Sequence, residues 1–475
     1  MFNYYLILTR ISRQGENFAS VGFLFIVFVM GTALIPNIGM SQYDMKRALL
    51  LVFLLMGFVY LIYNRNPDKV SIGNGSSVCW LLFILSQLAN TYFINSHLYG
   101  LLDTLFLFAI SVAFVGYMRM ISNCPELKQY MLLALVYGLA VYYGFVLMQY
   151  LFFLIAPVPW TIHLLSEAGF VNVRFLNQLM ILIFPLVLIA EQLGQIPRWL
   201  ARFTALMTVA ILLNSNGRGA LAMAIFESIL LVLLIKYTPY DAKTFRNRVL
   251  KIWLLGCLVF AVLFVWVPNL RLDVFQMSPL RLTESIRFDM WREALELWSK
   301  QKWWGYGGMS YADKSGDISF SFGHLHNSLV QILYEYGLIG FIILAVAFLA
   351  LLKQVVFHVV KGPANRLLVP VLVALLGGAG LSLVSGVIVM PFSQLVLFIL
   401  VLVVVSIVYT EEAGTTVIGF PVPLYVSVNA LKLLGLVVFC LLASMSYLTW
   451  VHTMGQDIIR FDVGPRFWLV GRLDS

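Results

Sequence analysis

The chain has 475 residues, 61% of them hydrophobic and only 11% charged, with a net charge of +9 and a mean hydropathy of +0.91. A water-soluble domain of this length could not solvate its surface with so few charges, which excludes ordinary soluble enzymes and binding modules. The basic residues are scattered among short loops instead of forming a patch, so nucleic acid is not an expected partner.

From the N-terminus, Arg10 and Arg13 precede an apolar run at 17–36. No small-residue cleavage site follows it, so it reads as a first transmembrane helix and not as a cleaved signal peptide. Further runs long enough to cross about 30 Å of hydrocarbon fall at 47–63, 77–94, 98–117, 130–156, 176–194, 199–215, 217–236, 252–268, 337–352, 367–388, 394–409 and 425–449. The expected fold is therefore all-α: a polytopic membrane protein of 12–13 transmembrane helices with a mostly helical external loop. The expected divisions are N-terminal helices over 1–156, central helices with external Arg-bearing turns over 157–267, a long loop at 268–326, C-terminal helices over 327–449, and a tail at 450–475. Cys79, Cys124, Cys257 and Cys440 show no metal or disulfide spacing and read as packing residues.

Counting Lys and Arg in alternate short loops gives 16 on one side and 4 on the other. Basic short loops stay cytoplasmic. The N-terminus is thus expected inside, and the 268–326 loop and the tail outside. The charges lie at span ends, and several cations gather at the external ends.

Four stretches carry the candidate chemistry. "FVNVRFLNQLM" (170–180) sets Arg174 and Asn177 at the lip of one span. "LLNSNGRGALAMAIF" (212–226) sets Arg218 at a Gly-flanked turn, where backbone N–H groups and a guanidinium together suit an anion. "SIRFDMWREALELWSKQKWWGYGG" (285–308) reads as an amphipathic helix with Arg287, Trp291, Ala294 and Trp298 at helical spacing, followed by a Gly-rich turn. "HNSLVQILYEYGLIG" (326–340) sets His326 and Asn327 at the start of a further span. Arginine donates two parallel hydrogen bonds to a phosphate, and imidazole titrates near neutral pH. Three outward-facing arginines suit a lipid-linked diphosphate, with His326 as the proton acceptor. The acidic residues of the long loop (Asp273, Glu284, Asp289, Asp313, Asp317) show no metal-ligand spacing, so neither a metal nor another cofactor is expected.

The last of these stretches resembles the signature of the O-antigen ligase/polymerase superfamily: His, then Asn, Ser or Gln, nine residues, Gly, two residues, Gly. His326, Asn327, Gly337 and Gly340 fill it. "RFDMW" with "WWGYGG" resembles the family's Arg-xxx-Trp and Gly-x-Gly turn. "SNGRGALA" resembles its Ser-Arg-Gly-Ala turn, with Asn216 and Gly217 inserted. The resemblance implies metal-independent transfer of a glycan from undecaprenyl diphosphate, on the periplasmic face of a bacterial inner membrane. The acceptor is lipid A–core in the ligases and another glycan repeat unit in the polymerases. His326, Arg287 and Arg218 would be catalytic, and Arg174, Asn177, Asn327 and Trp291 would bind substrate. The full histidine pattern is the ligase one. A lipid-linked glycan flippase is the alternative of another class; it expects charges within several spans and pseudo-repeated halves.

Overall fold

Apolar stretches in this chain are long and seldom broken by helix-stopping pairs, and helices satisfy every backbone group without water. Twelve of the thirteen expected spans accordingly fold as helices. The computed structural model describes residues 42–63, 70–72, 75–94, 98–155, 160–161, 170, 173–194, 196–215, 217–270, 275–276, 285–313, 324–362, 365–410, 424–426 and 428–455. The expected first span, 17–36, and most of the tail lie outside the described residues.

In chain order the helices are α1 Gln42–Tyr63, α2 Gly75–Ala89, which continues as a wider turn over Asn90–Ile94, α3 Leu98–Asn123, α4 Leu127–Ile155, α5 Val173–Leu193, α6 Arg198–Asn214 and α7 Arg218–Leu234. There follow α8 Ala242–Phe260, extended to Leu270, α9 Ser285–Lys300, α10 Ser328–Lys361, α11 Leu368–Ser382, α12 Pro391–Thr410 and α13 Val428–Gly455. Among the described residues nine helices are long and apolar enough to cross a membrane, and Val78–Phe93 and Leu368–Ser382 are shorter apolar helices. The chain is an all-α polytopic membrane protein.

Two short strand pairs accompany the helices. β1 (Val70–Ile72) runs antiparallel to β4 (Leu424–Val426), and β2 (Trp160–Thr161) runs parallel to β3 (Phe275–Gln276). Each pair joins two loops that the Lys/Arg count assigns to the same side.

At the centre stands α5, buried without interruption from Leu176 to Ala190 and packed against α4, α6, α7, α11 and α12. Pro185 within it is tolerated because neighbouring helices enclose the site. Peripheral helices instead turn apolar side chains outward: Leu254 is 72% exposed and Phe152 64%. Such a surface suits lipid and not water.

Two expectations need correction. Charged residues do occur inside helices: Glu227 is fully buried in mid-α7, its carboxyl seated over Gly377 of α11, and Asp44, Lys46 and Arg47 are buried near the start of α1. A single acid in a strongly apolar run does not disturb its hydropathy, so a window count misses it. The expected 367–388 span ends as a helix at Ser382, and 383–390 is a turn.

Candidate functional site

His326 sits just before α10 with φ +54°, a left-handed conformation uncommon for a side chain larger than glycine. Such strain, costing about 1–3 kcal/mol, persists only where surroundings over-determine it. Here they do. The N–H of Leu325 donates to Gln331 Oε1 at 3.0 Å, and its carbonyl accepts from Trp291 Nε1 at 2.8 Å. On the other flank Asn327 caps α10, its Oδ1 accepting from Leu329 N at 3.0 Å and Val330 N at 3.2 Å. An Asn before an apolar helical run is favoured for this role. The Leu325 side chain closes a small core with Met290 and Ala294 of α9, Tyr311 and Tyr334.

The same core is locked by a break in α10. Gly337 has φ +66° and ψ −173°, which interrupts the helical ladder after its first turns. The groups freed there are taken by the Gly-rich turn after α9. Tyr306 N donates to Tyr334 O (2.9 Å), Gly307 N to Glu335 O (2.8 Å), Leu338 N to Lys302 O (2.8 Å) and Ile339 N to Trp303 O (3.2 Å). A Cβ on Gly305 would lie 2.5 Å from Gly337 N. Two backbones thus cross at contact, which only glycine permits. Asn90 Nδ2 donates to Trp304 O at 2.8 Å, fastening the cap to the end of α2, and Tyr336 OH of α10 donates to Asp103 Oδ2 at 2.7 Å, tying α10 to α3. The stretch read as an amphipathic helix is therefore a docked lid-like cap on α10, with Met290 and Ala294 as its deepest residues.

The structure brings Arg174, Arg287, Trp291 and Asn327 to His326. Burial, then the adjacent His324, then the charges of Arg174 and Arg287 hold the His326 proton affinity well below the usual imidazole range. The imidazole is consequently neutral at neutral pH. The ring of His324 stands 4.1 Å from it, edge to face. Arg174 is exposed at the first turn of α5. Arg287 is half-buried and donates to Val384 O at 3.3 Å. Arg218 is exposed at the start of α7. It reaches the group indirectly: a Cβ on the next residue, Gly219, would lie 2.9 Å from Val384 Cγ2.

Two residues expected to bind substrate have other surroundings. Asn177 is 3% exposed, and its amide nitrogen packs on Gly217 behind the Arg218 turn. Its Oδ1 has no hydrogen-bond partner among the described residues. Trp291 uses its only donor on Leu325 O. Sequence reasoning missed Gln331, which joins Leu325 to Glu335 through a 2.8 Å bond, and by running a span to 388 it set the break between spans beyond most of the 383–390 turn. The Gln331–Glu335 spacing is a helical i,i+4 pair and was available as a signal.

Among the described residues no group of three His, Cys, Asp or Glu side chains is placed to hold a metal ion. What the arrangement provides is an imidazole of lowered proton affinity under the influence of two guanidinium groups, at a helix start capped by Asn327 and anchored through Leu325. That combination can accept a proton and bind an anion at one place.

Residues 203–345 match the family model described as O-antigen ligase. The matched segment contains Arg218, Arg287, His326, Gly337 and Gly340, and supports the O-antigen ligase superfamily for this chain. No curated protein matches the chain.

Proposed function

We propose, with the O-antigen ligase family match over 203–345 as premise, that the chain transfers an undecaprenyl-diphosphate-linked glycan to an acceptor sugar hydroxyl, most specifically that of lipid A–core. The observation that carries this reading is His326 held in a strained pose at the start of α10, its ring 4.1 Å from that of His324, within reach of the charges of Arg174 and Arg287, which with burial lower its proton affinity. The setting is the periplasmic side of a bacterial inner membrane, with both substrates lipid-anchored.

The acceptor oxygen attacks the anomeric carbon of the first donor sugar while the bond from that carbon to the diphosphate oxygen breaks. The hydroxyl proton passes to the imidazole of His326, and the bonding pair leaves with undecaprenyl diphosphate, inverting the centre. A sugar hydroxyl is a poor nucleophile at neutral pH, and a positioned base contributes on the order of 10²–10⁴ in rate. Charge grows on the diphosphate as the bond breaks. Arg287 and Arg218 stabilise it, with Arg174 as a further phosphate contact, in the way fixed cations serve other phosphate-leaving reactions. Asn327, Trp291 and Asn177 hold the backbones that present these groups.

The test is product formation by purified protein in detergent, given lipid-diphosphate glycan and lipid A–core. A new glycosidic bond supports the reading, whereas movement of donor across a bilayer without bond formation means a transporter. Repeat-unit polymerisation shares the family and the chemistry. Deleting the gene separates the two: lipid-linked polymer accumulating with none on lipid A–core means ligase, and a single attached repeat unit means polymerase.

A further inference from the structure

The connection between α11 and α12, "LVSGVIVM" (383–390), bears no charge. Yet three parts of the site rest on it. Arg287 of α9 donates to Val384 O at 3.3 Å. The His324 ring lies flush on Gly386, where a Cβ would come within 2.5 Å of its Cδ2 and 2.6 Å of its Nε2. Val384 packs on Gly219, beside Arg218.

From behind, the turn is held by groups that leave it little freedom. Gln178 of α5 is buried; its Nε2 donates to Ser385 Oγ at 2.7 Å, and its Oε1 accepts from Ser393 Oγ at 2.9 Å. Both ends of the amide are used, so slipping either serine strands a buried polar group. Val389 O accepts from Tyr43 OH at 3.4 Å and from Arg47 Nη2 at 3.2 Å. Gln394 Nε2 donates to Ile388 O at 2.8 Å. Within the turn, Val389 N bonds Gly386 O at 3.1 Å.

We propose that the 383–390 turn is the positioning platform of the site, with Gln178 as its lock. It sets where Arg287 stands and where Arg218 begins α7. Through His324 it also sets the pose of His326. None of its residues touches the reacting atoms; they act through the groups resting on them. The kinetic part of this proposal depends on the glycan-transfer reading. The charged and titratable groups acting on His326 are Arg174 from α5, Arg287 from α9 and His324 beside it; Glu335 of α10 bonds Gln331, which holds the neighbouring Leu325 N–H.

Gln178→Leu and Ser385→Ala remove the lock from its two ends, the second by the smallest change, a single hydroxyl. The first measurement needs no activity: the pH midpoint for diethyl pyrocarbonate modification of His326, followed on its peptide by mass spectrometry. It should shift upward in both variants, as His324 and Arg287 drift away. With lipid-diphosphate glycan and acceptor, kcat/KM should fall by about 10²-fold, the scale of an ångström-sized misplacement. Gly386→Ala should cost much of the activity, and far less of what remains in a His324→Ala background, since the clash is with that ring. An unmoved midpoint in both variants, or a Gly386→Ala cost independent of His324, overturns the proposal. If the unaltered protein makes no glycosidic bond, the functional reading fails, and the modification midpoint still judges the platform.

Discussion

Replacing Gly337 by Ala tests the crossing that docks the cap on α10. At φ +66° and ψ −173° an alanine is strained, and its Cβ would meet Trp303 O and lie 2.5 Å from Gly305 N. Backbone strain of about 1–3 kcal/mol and a similar overpacking cost add to about 2–6 kcal/mol. Undocking residues 302–307 forfeits the four backbone bonds to 334–339, at about 1 kcal/mol net each. The two are comparable, so the substituted protein relieves its clash by letting the cap go. Hydrogen exchange in detergent should then show the Tyr306, Gly307, Leu338 and Ile339 amides losing about 10²–10³-fold of their protection. Turnover should fall by about 10²-fold as Trp291 loses Leu325. Gly144→Ala is the control, because a Cβ there meets nothing within 4 Å. If Gly337→Ala exchanges and turns over like Gly144→Ala, the crossing does not hold the cap.

His326→Ala should lose about 10²–10⁴ of turnover and keep donor binding; a variant with near-normal turnover and intact donor makes His326 a structural residue only. Because the folded protein holds His326 below the usual imidazole range, the base stays neutral through pH 6.5 and is lost only as pH falls through its depressed value. A kcat/KM profile whose acid limb lies at or above the ordinary histidine value contradicts this. Arg287→Lys should restore less than half of what Arg287→Ala loses in donor affinity, since an ammonium lacks the bidentate fork; full rescue would show that charge alone suffices. Trp291→Phe keeps the ring in the Met290–Ala294 core but strands Leu325 O, at about 1–3 kcal/mol. kcat should drop about tenfold or more with little change in donor KM, and an unchanged kcat would mean that the Trp291 bond does not set the His326 pose.

Span positions were legible in the sequence because crossing hydrocarbon is a local demand, met by about 20 consecutive apolar residues whatever their neighbours. The Asn327 cap was legible for a similar reason: its partners, Leu329 and Val330, are two and three residues away. The residue types of the site were legible too, since His326 and the arginines are costly in an apolar chain and stand out. Their relations were not. Arg47 reaches Val389 across 342 residues, and Gln178 reaches Ser385 across 207. The apolar 383–390 turn shows no motif, and its importance lies in backbone carbonyls that every residue possesses. Gly337 could be noted as a glycine, but that it faces Gly305, and so breaks α10 to receive the cap, depends on two segments meeting in space. Hydropathy determined which residues enter the membrane. Which polar groups share one place was decided by packing: a buried hydrogen bond is specified by geometry between distant segments, not by the composition of either one.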